Sequence, residues 1–281
     1  MSGRPLSAYW QRVAVVFSGA ALAQAIPILG SLWIARLYVP AQFGIFAAWY
    51  GMSLVANLLL SARLEAAFGL APDGEERGRL VAAAILVVLG LGGTLSLTAW
   101  FVLPMLTEGI FGVPASLGYW LIPMSMCAAL SVIWQAWAAN NGQIRVLNIV
   151  RLVQALAVTG LQIAAAWMAA TAQSLAIAQI AGTGIAVLVA ARMLPVGRFM
   201  PTSRDAIRTL FTDTWSRYWR FPMFAMPSDM INTVAAQLPV IVLGLRYGGD
   251  VAGCFALAAR TMGAPLTVLG GAVRDVFIRD A

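Results

Sequence analysis

The amino-acid sequence predicts an all-α membrane protein of eight transmembrane helices, a six-helix lobe followed by the first two helices of a second lobe. Three observations predict it: a composition too apolar for a soluble domain, eight apolar stretches of spanning length, and arginines gathered in alternate gaps between them. Of 281 residues, 61% are hydrophobic and 10% charged, against about 25% charged in a soluble domain. Mean hydropathy is +0.83. A spanning helix needs about 20 consecutive apolar residues, whereas the strands of a membrane barrel alternate polar and apolar over about ten, which excludes a barrel.

The first stretch runs from Val13 to Leu37. Its opening, Val13 to Gly19 before Ala21-Leu22-Ala23, imitates a signal peptide, but the apolar run continues well past the 7 to 15 residues of a signal core. The others are Phe43 to Leu70, Leu80 to Leu103, Tyr119 to Ala139, Val146 to Ala170, Leu175 to Leu194, Phe221 to Leu245 and Val251 to Val273. They define three regions: 1–195 as the first lobe, 196–220 as a linker, and 221–281 as the start of the second lobe.

All eighteen basic residues are arginine. Arg4 and Arg12 precede the first helix, Arg77 and Arg79 follow the second, and Arg145 and Arg151 flank the next connection on that side. Six more fill residues 192–220, and Arg274 and Arg279 close the chain, so fourteen arginines mark one side as cytoplasmic. The opposite connections hold only Arg36 and Arg246, which places both termini in the cytoplasm and predicts a multi-pass protein. The pI near 10.2 then reflects orientation and contact with anionic membrane lipids rather than nucleic-acid binding.

Histidine and lysine are both absent. That excludes His-based triads, histidine-ligated metals, Schiff-base lysines and the lysine of a phosphate-binding P-loop. With outer connections too short for a separate domain, the sequence points away from an enzyme and toward transport or scaffolding, with no cofactor and no metal.

A repeat follows. Tyr38, Gly44, Phe46 and Ala47 recur 209 positions later as Tyr247, Gly253, Phe255 and Ala256. Six helices separate the copies, an even number, so both would have the same orientation about an axis along the membrane normal. Between them, residues from Ser203 form an amphipathic helix, with Ile207, Leu210, Phe211, Trp215, Tyr218 and Trp219 on one face; it reads as an interfacial tether or as an ordinary basic linker.

An ionisable group near the bilayer centre costs about 2.5 to 3.5 kcal/mol on insertion scales, so each one needs a reason. Four stand out: Arg63, Glu65, Asp229 and Arg260. Arg260 lies about nine residues into an inward-running helix, roughly 13 Å down at 1.5 Å per residue, and is either a cavity-lining anion binder or half of an ion pair. Arg63, near the inner end of the second helix, either snorkels to the headgroups or serves function. Glu65, two residues on, is expected on another helical face, unpaired with Arg63. Asp229 is either a cation-coupling carboxylate or the partner of a neighbouring arginine. Gln24, Asn57, Gln154, Gln162, Asn232 and Gln237 add carboxamides that serve interhelical contacts or line a polar path. Pro27, Pro239 and Pro265 invite bends.

Several segments carry a family resemblance: Phe17 to Leu29 (FSGAALAQAIPIL), Arg36 to Tyr38 (RLY), Phe43 to Ala47 (FGIFA), Arg63 to Ala67 (RLEAA), Pro72 to Glu76 (PDGEE), Gln237 to Pro239 (QLP) and Val251 to Leu266 (VAGCFALAARTMGAPL). In this order they resemble the bacterial O-antigen and polysaccharide flippases of the multidrug, oligosaccharidyl-lipid and polysaccharide exporter superfamily. The resemblance implies two lobes with more helices than this chain holds, hence a C-terminally truncated form. It also implies flipping of an undecaprenyl-diphosphate-linked glycan for lipopolysaccharide O-antigen export, by alternating access and beside other polysaccharide assembly proteins. On that basis Arg260 and Arg63 would bind the substrate headgroup and guard its entry, and Asp229 and Glu65 would couple an ion. A drug or metabolite antiporter of the same superfamily, or a non-transporting membrane scaffold or inert fragment, are the alternatives.

Overall fold

The computed structural model describes residues 23–111, 113–260 and 262. All regular elements among them are helical. The helices are α1 (Ala23–Leu37), α2 (Pro40–Ser61), α3 (Glu75–Phe111), the short α4 (Ala115–Gly118), α5 (Leu121–Asn140), α6 (Ile144–Met168), α7 (Ala172–Met193), α8 (Arg204–Tyr218), α9 (Met226–Tyr247) and α10 (249–260).

Six helical stretches among the described residues are long and apolar enough to cross a membrane: Pro40–Ser61, Glu75–Leu97, Ala115–Asn140, Ile144–Met168, Ala172–Met193 and Phe221–Tyr247. This is a multi-pass membrane protein. The first and eighth expected spans fall partly outside the described residues, together with Arg4, Arg12, Pro265, Arg274 and Arg279, so six spans stand where eight were expected.

Local chemistry sets the helix ends. Pro40 opens α2 at a position where its missing N–H costs nothing. Glu75 and Glu76 occupy the first turn of α3, where carboxylates meet the positive end of the helix dipole. Thr171 and Ser174 close a reciprocal capping box on α7. Ser203 caps α8 by accepting from the Ala206 N–H at 3.2 Å.

Two boundaries differ from expectation. The second apolar stretch was expected to stay helical to Leu70, but α2 ends at Ser61, and Ala62 and Arg63 take left-handed backbone (φ 48 and 54). A 3₁₀ turn, Leu64–Gly69, follows. The third stretch was expected to end at Leu103, yet α3 continues through Pro104 to Phe111.

Burial falls into two clusters. At the arginine-rich end, Phe68, Val81, Ala84, Val88, Ile133 and Trp137 form one core; toward the opposite end Ile34, Trp49, Leu117, Met124 and Leu175 form the other. Fully buried Trp49 donates Nε1–H to the Leu117 carbonyl at 2.9 Å, tying α2 to the turn before α5. The Ser125 hydroxyl bridges to the Ser53 carbonyl at 3.0 Å, and the Tyr38 hydroxyl donates to the Gln162 carbonyl of α6 at 2.8 Å.

Arg77, expected only to mark topology, is a buried clamp. Its guanidinium donates to the carbonyls of Phe68, Ala71 and Asn140 at 2.8–2.9 Å and pairs with Asp73, so it locks the 3₁₀ turn to the start of α3 and the end of α5. The amphipathic face expected of α8 divides. Leu210 packs into the core and Trp215 stays 63% exposed, while Arg217 and Tyr218 reach Glu76 at 2.7 and 3.1 Å.

The repeat has a structural counterpart. A Cβ on Gly44 would strike the Gly249 carbonyl and lie 2.7 Å from the Gly253 nitrogen; one on Gly253 would strike the Pro40 carbonyl and lie 3.1 Å from the Gly44 nitrogen. Pro40 and Gly249 are separated by the same 209 positions as Gly44 and Gly253. The contact between α2 and α10 is therefore reciprocal, as two-fold relation of the repeats requires.

Candidate functional site

Seven helices (α1, α2, α5, α6, α7, α9 and α10) surround a cavity of about 860 Å³. Its polar lining consists of the carboxamides Gln24, Gln135, Gln154, Gln179 and Gln237, the phenol of Tyr50 and the guanidinium groups of Arg151 and Arg260. No carboxylate is among the described lining residues. Phe43, Phe46 and Phe255 supply aromatic wall.

Arg260 thus reaches a cavity, as one of its two sequence readings required. It lies eleven residues beyond the start of α10 at residue 249, about 17 Å along the helix. It is half-buried, close enough to Tyr50 for electrostatic contact, and has no ion pair among the described residues. A guanidinium so placed is short of acceptors and suits an oxyanion.

Sequence reasoning missed Arg151. It had been assigned to the cytoplasmic arginines, yet it lies two turns into α6 and faces the same cavity. Its Nε–H donates to Gln135 Oε1 at 3.1 Å. Gln135 Nε2 in turn donates to Gln154 Oε1 at 3.1 Å and Ser131 Oγ at 3.0 Å, and the Ser131 hydroxyl donates to the same Gln154 oxygen at 3.0 Å. This network spends one edge of the guanidinium and leaves Nη1 and Nη2 without a partner among the described residues. The spacing of Arg151 and Gln154, one turn apart on one face, was the available signal.

Of the other expected carboxamides, Gln24, Gln154 and Gln237 do line the cavity. Gln162 is fully buried and donates to Gln179 at 3.0 Å. Asn57 is buried elsewhere, and Asn232 faces outward on α9.

The remaining three ionisable residues meet at the arginine-rich end of α2 and α9. Arg63 Nε and Nη2 both contact Asp229 Oδ2 at 2.6 Å, and Nη1 contacts Glu65 Oε1 at 3.2 Å. The expectation that Arg63 and Glu65 lie on separate helical faces is overturned, because the helix has already ended and left-handed backbone turns both side chains the same way. Such backbone costs roughly 1–2 kcal/mol for each non-glycine residue, and the ion pairs and buried Leu64, Glu65, Ala67 and Phe68 hold it. Glu65 Oε2 is buried with no hydrogen-bond partner among the described residues. Asp229 is thus paired with a neighbouring arginine.

The molecule therefore places a cationic cavity, with no carboxylate among its described lining residues, within a helical bundle and a charge cluster between α2 and α9. A family model described as polysaccharide biosynthesis protein matches residues 33–279. No curated protein and no solved structure matches. The match takes in the cavity lining apart from Ala23, Gln24 and Pro27, the charge cluster and both copies of the repeat, and the chain belongs to the polysaccharide biosynthesis protein family.

Proposed function

We propose that this polysaccharide-related membrane transporter moves an undecaprenyl-diphosphate-linked oligosaccharide from the inner to the outer leaflet of the bacterial inner membrane by alternating access, for O-antigen or related surface polysaccharide. The arginine-rich end faces the cytoplasm, following the distribution of positive charge. The observation that carries the reading is the presence of both Arg151 and Arg260 in a cavity lined with carboxamides and with no carboxylate among its described residues.

Guanidinium groups bind phosphate oxygens through paired, charge-assisted hydrogen bonds, each worth about 1.5–3 kcal/mol. Carboxamides offer donors and acceptors to sugar hydroxyls without charge, and the polyprenyl tail remains in lipid. Outward movement of the diphosphate is favoured by an inside-negative potential, about 2.3 kcal/mol per charge per 100 mV. Arg63 guards the cytoplasmic mouth, with Asp229 and Glu65 as its coupling partners.

The test is translocation of a fluorescent lipid-linked oligosaccharide in proteoliposomes containing the protein. Arg260→Ala and Arg151→Ala should each lower initial rate about tenfold or more, with lysine at either position restoring part of it. Unchanged rates in both alanine variants would remove the diphosphate from this cavity.

A further inference from the structure

Arg63 touches two carboxylates that belong to different parts of the chain. Glu65 sits in the same turn and Asp229 on α9, and the Arg63–Asp229 contact is the ion pair that joins the α2 end to α9. Asp229 is 37% exposed at its side chain, while Glu65 is 5% exposed and leaves Oε2 without a hydrogen-bond partner among the described residues. An ionised carboxylate in that position is half-satisfied. A protonated one is better suited, since Oε1 still accepts from Arg63 while Oε2 no longer carries uncompensated charge.

The geometry points to a proton-linked latch at the inner mouth: Arg63 closes it by holding Asp229, and when α9 withdraws, Arg63 turns fully onto Glu65, which gives up its proton to receive it. The inference rests on the alternating-access reading above and specifies its inner gate. The proton leaves to water at the opened mouth and returns when Asp229 reclaims the guanidinium, so one proton is released per opening, and the cluster, neutral when closed, carries one negative charge when open, on the partly exposed Asp229.

Burial raises the Glu65 pKa, and its own backbone N–H, the Arg63 charge and hydrogen bond, and the Ser61 hydroxyl oppose that rise only in part. The surroundings add no rival. The 3₁₀ turn packs on α3, α5 and the turn Phe221–Ala225; α5 and Phe221–Ala225 contain no charged residue, and α9 contributes Asp229. On α3, Arg77 is committed to carbonyls and Asp73, Arg79 pairs with Glu75, and Glu76 with Arg217. The sign follows from linkage. Glu65 has the higher pKa in the closed state, so that state binds more protons, and acid favours closure while rising pH favours opening.

The test uses the full chain in lipid nanodiscs without substrate, with Cys127→Ser and Cys254→Ser, and spin labels on Gln143→Cys and Phe224→Cys, both exposed at this end. The distance distribution is measured from pH 5 to pH 8. The open-to-closed ratio is expected to rise with pH, by at most about tenfold per unit, the limit for one proton. Glu65→Gln should stay closed with no pH response, and Asp229→Asn should be more open at every pH. A pH response that survives Glu65→Gln, a pH-insensitive parent, or an Asp229→Asn protein that stays closed would each overturn the latch. Because no glycolipid is present, a working latch in a protein that moves no glycolipid would sink the transport reading alone. Transport without a latch response would sink only this inference.

Discussion

Tyr38 and Tyr247 hold equivalent places in the repeat, yet Tyr38 is 3% exposed and Tyr247 65%; Phe46 is 3% exposed and its counterpart Phe255 40%. The residues are the same, and the helices that carry the two phenylalanines, α2 and α10, meet across a reciprocal glycine contact. Their surroundings differ. α1 and α2 lie against α5, α6 and α7, whereas α9 has a single buried residue, Val240, and exposes Ile231, Leu238 and Leu245. A local sequence signal thus sets the helix and the glycine contact, and only neighbouring helices decide what is buried. Both copies still contribute to the cavity, through Phe46 and Tyr50 on one side and Phe255 and Arg260 on the other.

The comparison breaks most easily at its aromatic pair. Phe46 stacks on Tyr50 at 5.9 Å and lies beside Trp49 at 5.9 Å, so Phe46→Ala removes contacts that lipid cannot replace inside the bundle. Its cost should approach about 3 kcal/mol, against about 1 kcal/mol or less for the half-uncovered Phe255→Ala. Unfolding in mixed micelles, followed by tryptophan fluorescence, measures both. Equal losses would show that the two copies are equally enclosed in solution.

The glycine contact should behave oppositely, with both copies responding alike. Gly44→Ala and Gly253→Ala each push a methyl into a partner backbone carbonyl, and overpacking of this kind costs about 1–3 kcal/mol. Because the helices separate to relieve either methyl, the double variant should cost clearly less than the sum of the two. Additive losses would mean that the two sites relax independently and that the reciprocal contact is not one unit.

The repeat was legible because it consists of identities at a constant spacing, and the spans because twenty apolar residues announce a helix regardless of neighbours. The break at Ser61 was not. Sequence punctuation relies on Gly and Pro, and here Ala62 and Arg63 turn left-handed with neither present. The continuation of α3 past Pro104 was hidden for the converse reason, since proline reads as an ending. Arg260 was visible because depth on a long apolar stretch needs no partner information. Arg151 was hidden within a count of cytoplasmic arginines that treated every flanking charge as solvated, and the Gln135–Gln154–Ser131 network that orients it exists only once α5 and α6 pack. The Arg63–Asp229 pair spans 166 positions, which local periodicity cannot reach.

The smallest effect is the most selective probe of the repeat. The Tyr38 hydroxyl donates to the Gln162 carbonyl at 2.8 Å in a buried setting, whereas Tyr247 is solvent- or lipid-facing. Tyr38→Phe keeps ring and volume and deletes one hydrogen bond, so the expected loss is about 0.6–1 kcal/mol, the range for a single bond between membrane helices. Tyr247→Phe should change stability by less than about 0.3 kcal/mol, within the scatter of substitutions on an uncovered surface. The carbonyl it leaves behind on α6 sits beside the buried Gln162–Gln179 contact, so Tyr38→Phe should also speed amide exchange around Gln162, a local readout that Tyr247→Phe cannot produce. If both variants lose the same amount, the exposed copy has found an acceptor of its own, and the asymmetry between the repeats is smaller than their burial indicates.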